Sequence, residues 1–368
     1  MNGIRILKEP IVKIQIKCIC AILLLIAVVF SKCAGRPAKK TPEQPYVAGV
    51  IDSANYGTTY LYLLDENLKK TDTLKCPYYG VGSFGSTPVQ IQDGVLYEKW
   101  SGNTVMPSKC AVAAMELQTG EWSEYSFEGG IIGDFRVNEK GIFVLKNAKE
   151  PSVEYSSFAG GESVSIKLEV WPGLSISVNG YDVYFIANEG TYQEGGEEAQ
   201  EKCFLYRVNV KDQSQEKVLD VTEELGENIL EYTLWWDGKM YIPNNDKLCI
   251  YEPKTNQVRQ IALPGKEACK ILADGERLYI INGYTNENET DIYCFNPQTE
   301  EIESSCHIKE STLQCYIREG IFYTLQQEPV AKVCKYQFAE DGTCKKLSEA
   351  VLDAENDDGH IISDMFVK

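Results

Sequence analysis

From residue 46 onward the chain falls into short, strand-length apolar runs, and one phrase recurs at least six times: an apolar strand, a Gly-containing tight turn, then a strand rich in Tyr and Phe. It reads Ile91-Gln92-Asp93-Gly94-Val95-Leu96-Tyr97, Val137-Asn138-Glu139-Lys140-Gly141-Ile142-Phe143 and Val178-Asn179-Gly180-Tyr181-Asp182-Val183-Tyr184. It continues as Trp236-Asp237-Gly238-Lys239-Met240-Tyr241, Leu272-Ala273-Asp274-Gly275-Glu276-Arg277-Leu278-Tyr279 and Ile317-Arg318-Glu319-Gly320-Ile321-Phe322-Tyr323. The Gly positions step by 47, 39, 58, 37 and 45 residues. Short strands repeating every ~40–50 residues are the signature of a β-propeller. No long amphipathic helix pattern occurs after residue 45.

A second set of turns completes the repeat. Asp65-Glu66-Asn67, Thr119-Gly120, Gly160-Gly161, Lys211-Asp212, Pro253-Lys254-Thr255-Asn256, Pro297-Gln298-Thr299 and Asp341-Gly342 each close a hairpin with the residues tight turns require. These seven turns stand against six Gly-turns, because the first unit (Val47–Ser53, Thr58–Leu64 and Thr71–Lys75) lacks an opening strand. The run from His360 to Val367 is a strand pattern without partners of its own. Pairing it into the first unit gives an all-β propeller of seven four-stranded blades over residues 46–368, closed by the C-terminal strand; six or eight blades are the alternatives.

The N-terminus carries different information. Arg5, Lys8, Lys13 and Lys17 precede the apolar run Cys18–Phe30, which has the dimensions of a secretory signal. As a helix the run spans about 20 Å, short of a ~30 Å hydrocarbon core. Residues 1–35 are thus a signal peptide or an N-terminal membrane anchor, and residues 36–45 a Pro-rich tether. The basic flank places the remainder of the chain outside the cytoplasmic membrane. Cys33 sits where a bacterial lipobox places its lipidated Cys, although Lys32 and Phe30 depart from that pattern. Lipidation, an uncleaved anchor and cleavage with release all remain open.

Charge divides at the tether. Residues 1–40 carry eight Lys and Arg against one Glu, while the whole chain is −18, so the remainder is −25. Such a domain disfavours nucleic acid and anionic surfaces. Ten Cys come after Cys33 with no C-x-x-C pair, and several occupy strand patterns, so most read as buried free thiols. Their spacing and the two His, His307 and His360, fit no metal site, and no cofactor is expected.

The second hairpin carries a family resemblance. Ile250-Tyr251-Glu252-Pro253-Lys254-Thr255-Asn256 and Tyr293-Cys294-Phe295-Asn296-Pro297-Gln298-Thr299 resemble the Tyr-Asp-Pro-x-Thr-Asn segment of kelch propellers. Leu117-Gln118-Thr119-Gly120-Glu121-Trp122 resembles a degenerate kelch or PQQ-like repeat. The resemblance runs loosely over residues 46–368, lacks the kelch double glycine, and implies fold rather than activity.

In such a blade the first-to-second and third-to-fourth turns share one face, and the irregular segments fall on the other. These are Asn147–Ser152, Asn188–Lys202, Asn282–Thr290 and the Gly-rich crossings at 80–85 and 129–134. That irregular face is the expected binding face. Asp134 and Arg136 sit just inside an opening strand, where they form either an ion pair or a ligand clamp. Trp235 and Trp236 face opposite neighbouring blades, as packing or as a sugar-stacking platform. Glu194, Glu197, Glu198 and Glu201 form an acidic loop without calcium-loop spacing. No nucleophile–His–carboxylate arrangement is legible, so no catalytic residue is assigned. The expectation is a membrane-tethered, extracytoplasmic binding or scaffold propeller for a protein or glycan. The alternative is a glycan-active enzyme with paired carboxylates at the channel mouth.

Overall fold

The Gly-turns fold as their residues dictate. Asp93-Gly94, Asp237-Gly238 and Glu319-Gly320 each hold both central φ angles positive (51° and 78°, 47° and 75°, 52° and 71°). This is the type I′ geometry whose twist matches the flanking strands. The computed structural model describes residues 42, 45–54, 58–78, 80–82, 87–100, 109–147, 150–160, 163–189, 202–226, 232–265, 268–282, 289–326, 330–339, 343–352 and 360–368. Thr41–Lys368 form one compact unit. Met1–Lys40 lie outside the described residues, and with them the expected export segment and Cys33.

The described strands assemble into seven four-stranded antiparallel sheets, the blades of a propeller. Their innermost strands are His360–Val367, Gln90–Gln92, Ile132–Asn138, Pro172–Asn179, Leu234–Trp236, Ala268–Asp274 and Gln314–Arg318, in blade order. Successive innermost strands touch one another around the axis, from the second blade round to the first.

Ring closure matches the sequence expectation. His360–Val367 pairs antiparallel with Ala48–Ala54, from Ala48 opposite Val367 to Ala54 opposite His360. The first blade thus joins the C-terminal strand to three N-terminal ones. The Lys368 amide donates to the Val47 carbonyl at 2.8 Å, so the two ends of the propeller meet.

Burial explains why middle strands read as continuous apolar runs. Both faces of a blade are covered by its neighbours, so all six residues of Gly141–Lys146 are buried. The outermost strands meet water and alternate instead, as in Gln257–Ala262. The described core divides into seven apolar clusters, one in each gap between blades. Between the first and second blades, for example, Ile51, Leu61, Leu63 and Phe366 meet Leu96, Trp100 and Met115. Each large side chain fully buried in this way contributes roughly 1.5–3 kcal/mol.

Eight of the ten Cys after Cys33 are free thiols, seven of them buried, as their strand positions imply. The remaining two, Cys306 and Cys344, form a disulfide. It clasps the outermost strands of the sixth and seventh blades and closes a 38-residue separation. A loop of that size is worth about 3–4 kcal/mol in the chain-entropy account. Among the described residues no helix is long and apolar enough to cross a membrane.

Candidate functional site

The axis of the ring is polar near the irregular face. Asp134 is buried, and its Oδ1 accepts from Thr87 Oγ1 (3.0 Å), the Phe135 amide (2.9 Å) and Arg136 Nη1 (2.6 Å). Its Oδ2 accepts from the Ile176 amide at 2.8 Å. Arg136 Nη2 donates to Ser175 Oγ (3.2 Å) and the Thr233 carbonyl (3.4 Å), and the guanidinium lies 4.9 Å from the Tyr232 ring centroid. The sequence places these two side chains on one strand face, and the fold joins them. Their partners come from the crossing into the second blade, the third and fourth blades, and the segment leading into the fifth. With four donors on one carboxylate, the pair is a fully satisfied staple at the axis.

A second polar group lies across the channel. Tyr316 Oη accepts the Val89 amide (2.8 Å) and donates to Asp364 Oδ1 (3.3 Å). Lys270 Nζ donates to Gln314 Oε1, and Gln314 Nε2 donates to Asp364 Oδ2 at 3.3 Å. Glu98, from the second strand of the second blade, is 0% exposed, as is Asp364. Its Oε1 accepts the Lys99 amide at 2.9 Å, whereas its Oε2 has no hydrogen-bond partner among the described residues. Burial pushes the Glu98 carboxyl well above the usual range, and the charge of Asp364 pushes it the same way. Burial likewise raises the Tyr316 phenol, with Asp364, Glu98 and Tyr232 adding to the effect. Glu98 and Asp364 are thus both closed to solvent, and the charge of one acts on the other. Neither is reached by local pattern alone. The available signal was a carboxylate at an inward position of an apolar strand: Leu96-x-Glu98-x-Trp100 and Ile362-x-Asp364-x-Phe366.

The two tryptophans take separate partners. Trp235 stacks on Tyr184 (4.9 Å between centroids, 20° between planes) in the core between the fourth and fifth blades. Trp236 meets Tyr241 edge-on at 6.4 Å, on the fifth-to-sixth side. One ring faces each neighbour, as adjacent strand positions require. The acidic loop Glu194–Glu201 lies outside the described residues, as do the middles of the irregular segments 80–85, 147–152 and 282–290.

The irregular face has another feature. Of eight large apolar side chains exposed among the described residues, six stand at its end of the blades: Ile131, Trp171, Leu174, Val330, Val351 and Ile361. Trp171 is 57% exposed and Ile131 64%. Trp171 was missed in the sequence because it lies in a crossing, where no periodicity marks which side chains face outward. On the regular-turn face, a depression of about 700 Å³ between the sixth and seventh blades is lined by Asp274, Glu276, Arg277, Asn296 and Glu319. Asp274 is occupied there in holding the Glu319 and Gly320 amides (3.2 and 2.8 Å).

No protein-family model matches the chain, and no curated protein does. Propeller-like solved structures do. AztD from Citrobacter koseri in its apo form aligns with a TM-score of 0.53 at 10% identity, over 87% of this chain and 96% of that one. An oligogalacturonate lyase in complex with manganese aligns with a TM-score of 0.52 at 12% identity, over 86% and 89%. A chain of the mitotic checkpoint complex gives 0.55 at 9% identity, over 78% and 86%. At such identities the likeness establishes the fold alone, a seven-bladed β-propeller.

Proposed function

We propose that this protein is an exported binding or scaffold propeller that recognises a protein or glycan through its irregular face. In this reading its N-terminal segment tethers it to the outer face of a bacterial cytoplasmic membrane, and its blades are degenerate kelch-like or PQQ-like repeats. The observation that carries the proposal is the gathering of exposed apolar side chains on that face, with Trp171 and Ile131 the most exposed of those in its crossings. Exposed apolar side chains concentrated on one face of a folded domain point to an interaction site there. The Cys306–Cys344 disulfide suits an oxidising compartment outside the cytoplasm.

Catalysis draws less support. A glycosidase needs two carboxyl groups some 5–9.5 Å apart on either side of an accessible bond. Glu98 and Asp364 are closed to solvent, and Asp134 has its oxygens committed. The test is a thermal-shift panel on residues 41–368, a unit that closes its own ring, with oligosaccharides at high excess. A ligand at 100 times its Kd stabilises by about 2.7 kcal/mol. A shift without turnover, or specific cross-linking of a protein from position 171, supports the proposal. Turnover of an oligosaccharide would overturn it in favour of an enzyme.

A further inference from the structure

Two successive crossings on the irregular face are built alike. Glu128-Gly129-Gly130-Ile131 leads into the third blade, and Glu169-Val170-Trp171-Pro172-Gly173-Leu174 leads into the fourth. Each sets an exposed carboxylate just before an exposed apolar side chain: Glu128 before Ile131, and Glu169 before Trp171 and Leu174. The innermost strands that these crossings enter are neighbours, joined by the Ile176 amide on Asp134 Oδ2 at 2.8 Å. The two crossings therefore form one rim across the blade boundary. Among the described residues neither Glu128 nor Glu169 has a side-chain ion pair, while Glu150 nearby is paired with Lys167 at 3.1 Å.

We infer that this rim docks a cationic amphipathic polypeptide segment, one presenting Lys or Arg beside apolar side chains. The inference rests on the reading of the irregular face as the binding face and names the partner's chemistry there. Trp171, Ile131 and Leu174 offer an apolar strip, of which an indole alone supplies roughly 150–250 Å². The two carboxylates, without an ion pair among the described residues and on a domain already at −25, attract positive charge and repel acidic chains or acidic polysaccharides. Aliphatic Ile131 and Leu174 beside a single indole fit apolar side chains better than a sugar face, which stacks on flat rings. The satisfied Asp134–Arg136 staple beneath fixes the rim in place.

The experiment measures binding of a fluorescein-labelled peptide of alternating Leu and Lys to residues 41–368, beside its Leu/Glu counterpart and an oligosaccharide panel. The Leu/Lys peptide is expected to bind and to weaken as salt rises. Trp171→Ala should weaken it by about tenfold or more, as loss of an aromatic anchor does. Glu128→Gln with Glu169→Gln should weaken it and flatten its salt dependence, and Leu347→Ala, in the outermost strand of the seventh blade, should leave it unchanged. Equal binding of the Leu/Glu peptide, or affinity untouched by Trp171→Ala, overturns the inference. Oligosaccharide binding that is lost in Trp171→Ala, without peptide binding, would also overturn it while leaving the face itself as the binding face. Binding confined to the opposite face would sink both readings.

Discussion

Glu98 shows how one carboxyl can set the pH behaviour of the ring. It is fully buried, and burial first, then the charge of Asp364, raises its pKa above the ordinary 4.5. A group that holds its proton more tightly when folded contributes full stability below its unfolded pKa. That contribution drains away as pH rises toward the folded value. Stability should therefore decline as pH rises above the ordinary carboxyl value of 4.5, and Glu98→Gln should flatten this slope. The variant should gain on the order of 1 kcal/mol at the alkaline end. Denaturant midpoints at an acidic and an alkaline pH check this, and a wild-type curve no steeper than the variant's would remove Glu98 from the account. Asp134 makes the opposite prediction. Asp134→Ala leaves Arg136 part-buried without its carboxylate, so it should cost about 3–5 kcal/mol, read by denaturant unfolding. A ligand clamp would instead lose binding with stability intact. The closeness of Asp134 and Arg136 was legible because positions two apart on a strand share a face. The meeting of Asp364 with Gln314 and Tyr316 was not, because ring closure rather than local period brings the C-terminal strand against the seventh blade.

At the scale of elements, turns and closure were the most legible features. Asp-Gly and Glu-Gly pairs demand positive φ and so announce hairpins, and a strand pattern with no local partner announced its distant one. Which cysteines would bond was not legible, since Cys306 and Cys344 meet only because outermost strands of consecutive blades run side by side. The closing strand earns a direct test through Phe366. Its fully buried ring fills the space left by Gly49, where an added Cβ would lie 2.3 Å from the ring. Phe366→Ala should cost about 3–5 kcal/mol through the cavity it opens. Thermal unfolding measures the loss, which should exceed that of Leu347→Ala on the exposed outer strand. Equal losses would mean that the closing strand is not what holds the ring.

For the whole molecule, the proposed export rests on charge. Residues 1–40 carry +7 and the rest −25, the division expected of a chain that crosses a membrane and then stays beside it. The full chain, expressed in a bacterium, is expected in the membrane fraction and open to added protease in spheroplasts. Cys33→Ala should release it if a lipid is the anchor and leave it in place if a helix is. Complete protection from protease would end the export reading.

The hydrogen bond from Lys368 to Val47 has a practical corollary. Because Ala48 lies opposite Val367, the propeller's first and last strands begin and end on the regular-turn side, the side away from the exposed Trp171. A short linker across that gap would turn the ring into a continuous loop, and new termini opened at a hairpin elsewhere would give circular permutants with the same blades. Immobilising the protein through position 368 would likewise present every copy in one orientation, with the rim of the third and fourth blades facing the solution.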